Sequence, residues 1–161
     1  MARTTTRHTI VVQSSNKLGV TRLEAVGSAV LLPGWVVEIK SGAHKLGKVA
    51  TPYRAGPPLV VLENQTPDTH SYPTDAAIDI QYASGDTVYY CQAQPGDVLN
   101  MWLAAGGTVQ KGVNFLAAGT NGKVLDLGTN LASGTSNPIG IAWQDVTATG
   151  TAGARCLVRI L

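Results

Sequence analysis

Glycine and proline interrupt the chain so often that this spacing constrains the fold more than any other feature of the sequence. The 161 residues contain 18 glycines and 8 prolines, and the segments between them are short and rich in β-branched and aromatic residues. No stretch sustains the 3.6-residue period of an amphipathic helix. This combination is typical of an all-β domain built from short strands and tight turns.

Seven segments have the composition of strands. The first and the last also show the period-2 alternation that a half-buried strand requires. Trp35, Val37 and Ile39 are predicted to share one face of the first, and Cys156 and Val158 point inward in the last. The predicted strands are residues 35–40, 59–64, 87–92, 97–103, 123–127, 139–146 and 155–161.

Turn residues lie between these strands at the expected places. Pro33-Gly34 and Pro95-Gly96 fit the two central positions of a type II turn, where proline presets φ and glycine accepts a positive φ. Asn121-Gly122 predicts a hairpin, and the last two predicted strands are expected to form another one. No fixed-period repeat occurs, so we predict a compact β-barrel or β-tulip-like domain over residues 24–161.

Cysteine content and hydropathy set the expected compartment. Cys91 and Cys156 are too few for a disulfide framework and are predicted to be buried thiols in a reducing environment. The N-terminus lacks the apolar core of a secretion signal, and the longest apolar run is broken by Pro33-Gly34. The sequence therefore predicts a protein made in the cytoplasm with no membrane partner.

Residues 1–23 differ from the rest, since they are basic, hydroxyl-rich and poor in apolar side chains. We predict an extended N-terminal arm that becomes ordered on binding. Its short apolar patch, Ile10 to Val12, has two alternative roles: a strand added to a partner's sheet, or the first strand of the domain itself. The arm lacks the aromatic interleaving of a single-strand nucleic-acid binder, so no direct nucleic-acid contact is expected. The candidate partner-contact residues are Arg3, Arg7, Ile10, Val11, Val12, Lys17 and Arg22.

The acidic residues are also unevenly placed. Residues 55–110 contain six of them and no lysine or arginine. Asp68, His70 and Asp75 form the best candidate metal site, but a solvated acidic loop is the favoured interpretation because the segment holds two prolines and no rigid element. We therefore predict no metal site, cofactor or catalytic centre.

The stretch AAGGTVQKG, residues 104–112, resembles a phosphate-binding loop at first sight. A P-loop needs Gly-Lys-Ser/Thr at the start of a helix, whereas here Lys111 precedes the glycine. Biotinyl and lipoyl carriers contain a similar turn, but neither Lys111 nor Lys123 has the setting of their acceptor lysine. The stretch is predicted to be a turn between strands, and Trp35, Trp102 and Trp143 are expected to pack in the core.

Taken in order, several segments resemble the head-decoration, or cement, proteins of tailed bacteriophages, of the lambda-like type. The similarity runs from about residue 31 to the C-terminus, while residues 51–80 depart from the pattern like an insertion. The matching motifs are Gly-Asp-x-Val at 85–88, Pro-Gly-Asp at 95–97, Leu-Ala-Ala-Gly-x-Thr-Val-x-Lys-Gly at 103–112 and the closing Leu-Val-Arg-Ile-Leu.

This resemblance implies a non-enzymatic structural protein of the virion. It would bind the major capsid protein on the outer capsid surface as a homotrimer, at three-fold and quasi-three-fold positions, and stabilise the expanded head. The N-terminal arm would contact the capsid. An alternative hypothesis is a β-rich carbohydrate-binding or hydrolase module of a phage tail or envelope-associated protein, which would require an exposed tryptophan.

Overall fold

The computed structural model describes residues 9–16, 19–40, 44–50, 56–64, 78–129 and 137–161. Over these residues the chain contains strands and turns without a helix, so the predicted all-β class is confirmed. The described part also holds no helix that could span a membrane. The strands are β1 (Val11–Gln13), β2 (Arg22–Gly27), β3 (Val36–Lys40), β4 (Lys45–Lys48), β5 (Leu59–Val61), β6 (Thr87–Gln92), β7 (Val98–Leu103), β8 (Thr108–Val109), β9 (Phe115–Ala118), β10 (Val124–Asp126), β11 (Gly140–Ala142), β12 (Val146–Thr147) and β13 (Ala154–Ile160).

The strands form two closed arrangements, of which the first is built from the consecutive strands β2 to β6. The first is a barrel in the order β2-β4-β3-β5-β6, in which β2 and β4 are parallel and the other pairs are antiparallel. The second is a sheet in the order β1-β7-β10-β9-β11-β13, and an additional pairing of β7 with β13 closes five of its strands into a ring. The short strands β8 and β12 pair with each other.

Three strands of the first barrel, β3, β5 and β6, are buried on both faces, and this burial brings the two barrels into apolar contact. Each of these strands has two adjacent buried residues, of which one packs in the core inside the first barrel and the other in a larger core that includes the second barrel. Strands buried on both faces show continuous apolar runs instead of alternation. This burial explains the adjacent pairs Val36–Val37, Val60–Val61 and Tyr90–Cys91.

The predicted turns are present with the expected backbone. Trp35 donates its N–H to the Leu32 carbonyl at 3.1 Å, and φ of Gly34 is 84°. The Pro95-Gly96 turn closes in the same way, with φ of 91° at Gly96. Asn121-Gly122 joins β9 and β10 as a hairpin, and β11 pairs with β13 as predicted.

The Asn121-Gly122 hairpin also connects the two barrels. The Gly122 carbonyl accepts the Val36 N–H at 2.7 Å. A Cβ atom at Gly122 would lie 3.1 Å from atoms of Trp35, and φ of Gly122 is 77°. Glycine at this position therefore satisfies both the turn geometry and the close approach to the tryptophan.

Several predicted strands have different limits in the structure. Residues 139–146 do not form one strand, because the chain leaves β11 after Ala142 and pairs again only at Val146, with Trp143 between them. Ile39 shares the alternation of Trp35 and Val37, but it is 53% exposed while they are buried. The insertion-like segment 51–80 is partly strand, since it contains β5, which is needed to close the first barrel.

Candidate binding surfaces

The structure places the N-terminal contact candidates in different environments. Arg3, Arg7 and Lys17 lie outside the described residues. Ile10 is fully buried in the larger core, and Val11 and Val12 are partly buried. Arg22 is exposed at the start of β2, with its guanidinium carbon 3.4 Å from the centre of the Tyr89 ring.

Backbone and side-chain hydrogen bonds attach residues 10–15 to the domain. Ile10 donates its N–H to a Glu63 carboxylate oxygen, and its carbonyl accepts the Asn100 N–H at 2.7 Å. Val11 then pairs with Leu99 of β7. Of the two alternatives for the Ile10–Val12 patch, the structure therefore adopts the second, in which it is the first strand of the domain. The burial of Ile10 is the physical reason, since a fully buried isoleucine contributes about 2 kcal/mol or more.

Asp97 of the Pro-Gly-Asp motif holds the next part of this segment. Its carboxylate is 1% exposed and accepts the Ser15 N–H at 2.7 Å and the Ser15 hydroxyl at 2.9 Å. The same carboxylate accepts the Gln94 N–H at 2.8 Å, which stabilises its own turn. One side chain thus links the turn to the N-terminal segment.

The carboxylates of residues 55–110 have internal partners where the structure describes them. Glu63 and Asp97 hold the N-terminal segment, and Asp86 accepts the Ala83 N–H at 2.6 Å. Asp79 forms an ion pair with Arg155 at 3.2 Å. These contacts use the carboxylates to hold turns and the N-terminal segment, while Asp86 is exposed and the Asp79 side chain is 49% exposed.

Arg155 and Trp102 form the main polar connection between the barrels. The Arg155 guanidinium donates to the Pro33 carbonyl at 2.9 Å and lies 4.5 Å from the centre of the Trp102 ring. Trp102 Nε1 donates to the same carbonyl at 3.2 Å. Desolvation lowers the pKa of Arg155, although its hydrogen bond to Asp79 opposes this shift. These contacts have a structural role, because they fix the turn before β3 against β7.

The residues considered for metal binding and nucleophilic chemistry form no such site among the described residues. Asp68, His70 and Asp75 lie outside them, and no group of three metal-ligating side chains occurs within them. Cys91 and Cys156 are free and buried as predicted. Desolvation raises the pKa of each thiol to about 12, so both are poor nucleophiles at neutral pH.

The stretch of residues 104–112 is a turn followed by β8, and it uses its amides internally. The N–H groups of Gly106, Gly107 and Gly112 donate to backbone carbonyls, and Lys111 donates its N–H to Asp145 at 2.7 Å. A phosphate cradle requires several convergent free amides. The turn prediction is therefore confirmed.

The side chains at the end of this stretch form an exposed cluster with Trp143. Lys111 Nζ and the Arg159 guanidinium carbon each lie 5.1 Å from the centre of the Trp143 ring. Val113 is 42% exposed nearby and lines the same surface depression as Lys111. We call Lys111, Val113, Trp143 and Arg159 the Trp143 patch. The patch is not evident from the sequence, because its members come from three separate segments and the sequence pattern predicts Trp143 in a core strand.

The three tryptophans differ in exposure. Trp35 is 8% exposed, whereas Trp102 and Trp143 are half-buried. Arg155 covers part of the Trp102 ring, and two cations lie against Trp143. Sugar stacking needs an open ring face, so these contacts do not favour the carbohydrate-binding alternative.

Comparisons with known proteins gave structural similarities only. No protein-family model matches the chain, and no curated protein matches it significantly. A solved structure, the N base of the head fiber gp8.5 of bacteriophage phi29, matches with a TM-score of 0.49 and 13% sequence identity, covering 88% of this chain and 94% of that one. A similarity of this level carries no information about function.

Proposed function

We propose that this chain is a non-enzymatic structural protein of a tailed-phage virion. It binds the major capsid protein on the outer surface of the head, as a homotrimer at three-fold and quasi-three-fold positions, and stabilises the expanded shell. The resemblance of its ordered motifs to head-decoration proteins is the basis of this proposal, and the all-β fold is compatible with it.

The observation that supports it most is the arrangement of the resembling segments. Gly96 donates its N–H to the Ile160 carbonyl at 2.9 Å, and Asp97 accepts the Ile160 N–H at the same distance. Leu103, at the start of the third motif, pairs with Ala154 of β13. Two neighbouring motifs, at 95–97 and 103–112, therefore meet the C-terminal motif at β13. This proximity supports the interpretation that these three motifs belong to one structural unit.

Such a protein stabilises a capsid in two ways: its subunits bind several sites at once, and its binding favours the shell state to which it binds. A trimer that engages three equivalent sites gains affinity through effective concentration, so modest contacts per subunit suffice. A ligand that binds only the expanded shell stabilises it by mass action. Neither effect requires a catalytic group or a cofactor.

We also propose that the N-terminal arm contacts the capsid. Ile10 is fully buried, so this contact is not proposed for its side chain. It is proposed for Arg3 and Arg7 above all. Deleting residues 1–23 would also remove β1 and part of β2.

Co-sedimentation with expanded capsids that lack a decoration protein tests this function. We expect the purified chain to be a trimer by light scattering, to sediment with the capsids until three-fold sites are saturated, and to raise their melting temperature. A chain lacking residues 1–8 should remain folded and trimeric but bind more weakly. A folded wild-type chain that does not sediment with any expanded capsid would refute the proposal.

A further inference from the structure

The Trp143 patch has the composition of a protein-binding site. Tryptophan and arginine are enriched among the residues that dominate interface energies. Trp143 is half-buried, while Lys111 and Arg159 are exposed, and both cations lie against its ring. Because each cation is 5.1 Å from the ring centre, the two charges are at most about 10 Å apart.

Neither cation has an ion-pair partner in the part of the chain that the structure describes. The ion pairs found there involve Lys40 and Arg155 instead. Asp145 is close to Lys111, but its Oδ1 accepts the Lys111 backbone N–H at 2.7 Å. Lys111 and Arg159 are exposed together with Val113, and the exposed Asp145 carboxylate lies beside Lys111, so this surface carries two cations and one anion.

The backbone holds the patch in a fixed geometry. Trp143 donates its N–H to the Leu157 carbonyl at 2.7 Å, and Gly112 donates to the Ala142 carbonyl at 2.7 Å. Arg159 lies within β13, where it pairs with Ile141. A surface positioned in this way loses less conformational entropy when it binds a partner.

We propose that the Trp143 patch is a surface through which the chain binds the capsid, in addition to the N-terminal arm, and that the complementary capsid surface presents acidic side chains. This inference rests on the proposed function and assigns further contact residues to it. Lys111 and Arg159 would pair with capsid carboxylates, and Val113 with the part of the Trp143 ring that the two cations leave uncovered would supply apolar contact.

Charge complementarity favours a different protein over a second copy of this chain. Almost every carboxylate that the structure describes accepts a hydrogen bond or forms an ion pair within the same chain. Glu24 on β2 is the exception among the described residues, and the exposed residues Glu24, Asp86 and Asp145 lie in three different segments of the chain. Nucleic acid is also disfavoured, since two cations beside the exposed Asp145 carboxylate supply little positive charge for a phosphate backbone.

Charge reversal at the patch tests the assignment. The double variant Lys111→Glu/Arg159→Glu is compared with Lys45→Glu, which reverses an exposed cation of the first barrel, and with the wild type. Thermal melting and light scattering first establish that each variant keeps its fold and oligomeric state. Binding to expanded capsids is then titrated at low and at high salt, and binding to duplex DNA is measured in parallel.

We expect the double variant to bind capsids at least about tenfold more weakly, as is typical for interfacial charge pairs, and to lose most of the salt dependence. Lys45→Glu should bind like the wild type. Equal binding by the double variant, or an equal loss in both variants, would overturn the assignment while leaving the proposed function intact. Duplex DNA binding that depends on Lys111 and Arg159 would overturn the choice of a protein partner. If the wild type does not bind capsids, the proposed function itself fails.

Discussion

Replacing Ile10 by alanine distinguishes a structural role of the N-terminal patch from a role in capsid contact. Ile10 is fully buried in the larger core, and its backbone bonds to Glu63 and Asn100 do not depend on its side chain. The substitution therefore removes apolar contacts and leaves the backbone attachment unchanged.

The expected cost follows from the three carbon atoms removed. At about 0.8 kcal/mol for each buried group, the lost transfer free energy is about 2.4 kcal/mol. The cavity left behind adds to this, and buried isoleucine-to-alanine changes cost about 2 to 5 kcal/mol in total. We expect a loss of about 3 kcal/mol, which corresponds to a decrease in Tm of roughly 6 to 12 °C for a chain of this length.

Thermal and urea unfolding of the purified Ile10→Ala variant measure this loss. Val30→Ala is the matched control, because Val30 is 41% exposed and its truncation should cost less than about 1 kcal/mol. If Ile10→Ala changes Tm by less than about 1 °C but weakens capsid binding, Ile10 contacts the capsid and the first-strand assignment is incorrect.

Three further predictions concern particular contacts. Asp97→Asn should destabilise the chain by about 2 to 3 kcal/mol in urea unfolding, since the asparagine NH2 group would face an N–H donor and the charge-assisted hydrogen bonds would be lost. An unchanged free energy of unfolding would contradict the role of Asp97. Burial raises the pKa of Cys91 and Cys156 from 9.0 to about 12, so the free energy of unfolding should decrease as the pH rises from 9 towards 12, by about 1.4 kcal/mol per pH unit and thiol. A variant with alanine at both positions should show a smaller decrease in the free energy of unfolding over the same pH range. Gly122→Ala should lower the free energy of unfolding more than Gly150→Ala, since both glycines have a positive φ but only Gly122 lies against another side chain, that of Trp35. Equal losses in the two variants would show that the contact with Trp35 does not restrict position 122.

The fold class and the turns could be predicted because they depend on local chemistry. Proline followed by glycine fixes a type II turn regardless of what surrounds it, and both such turns are present. The limits of β6, residues 87–92, agree with the prediction because β-branched and aromatic residues fill the segment and turns flank it. Strands β4 and β9 were missed, since the sequences KLGK and FLAA have weak β propensity and are strands only through pairing with neighbours.

The binding residues were harder to predict because they depend on long-range contacts. Nothing near Ile10 in the sequence indicates that Glu63 and Asn100 will accept and donate its backbone hydrogen bonds. Trp143 and Lys111 are likewise separated by 32 positions and meet only because β8 pairs with β12. Composition located the charges along the chain but did not show which carboxylates would be used inside the domain.

Imaging of expanded capsids with and without the purified chain tests the central claim most directly. The account predicts additional density on the outer surface at three-fold and quasi-three-fold positions, with three copies at each position and with the Trp143 patch facing the shell. Capsids that show no added density at saturating protein, or density at other positions, would contradict it.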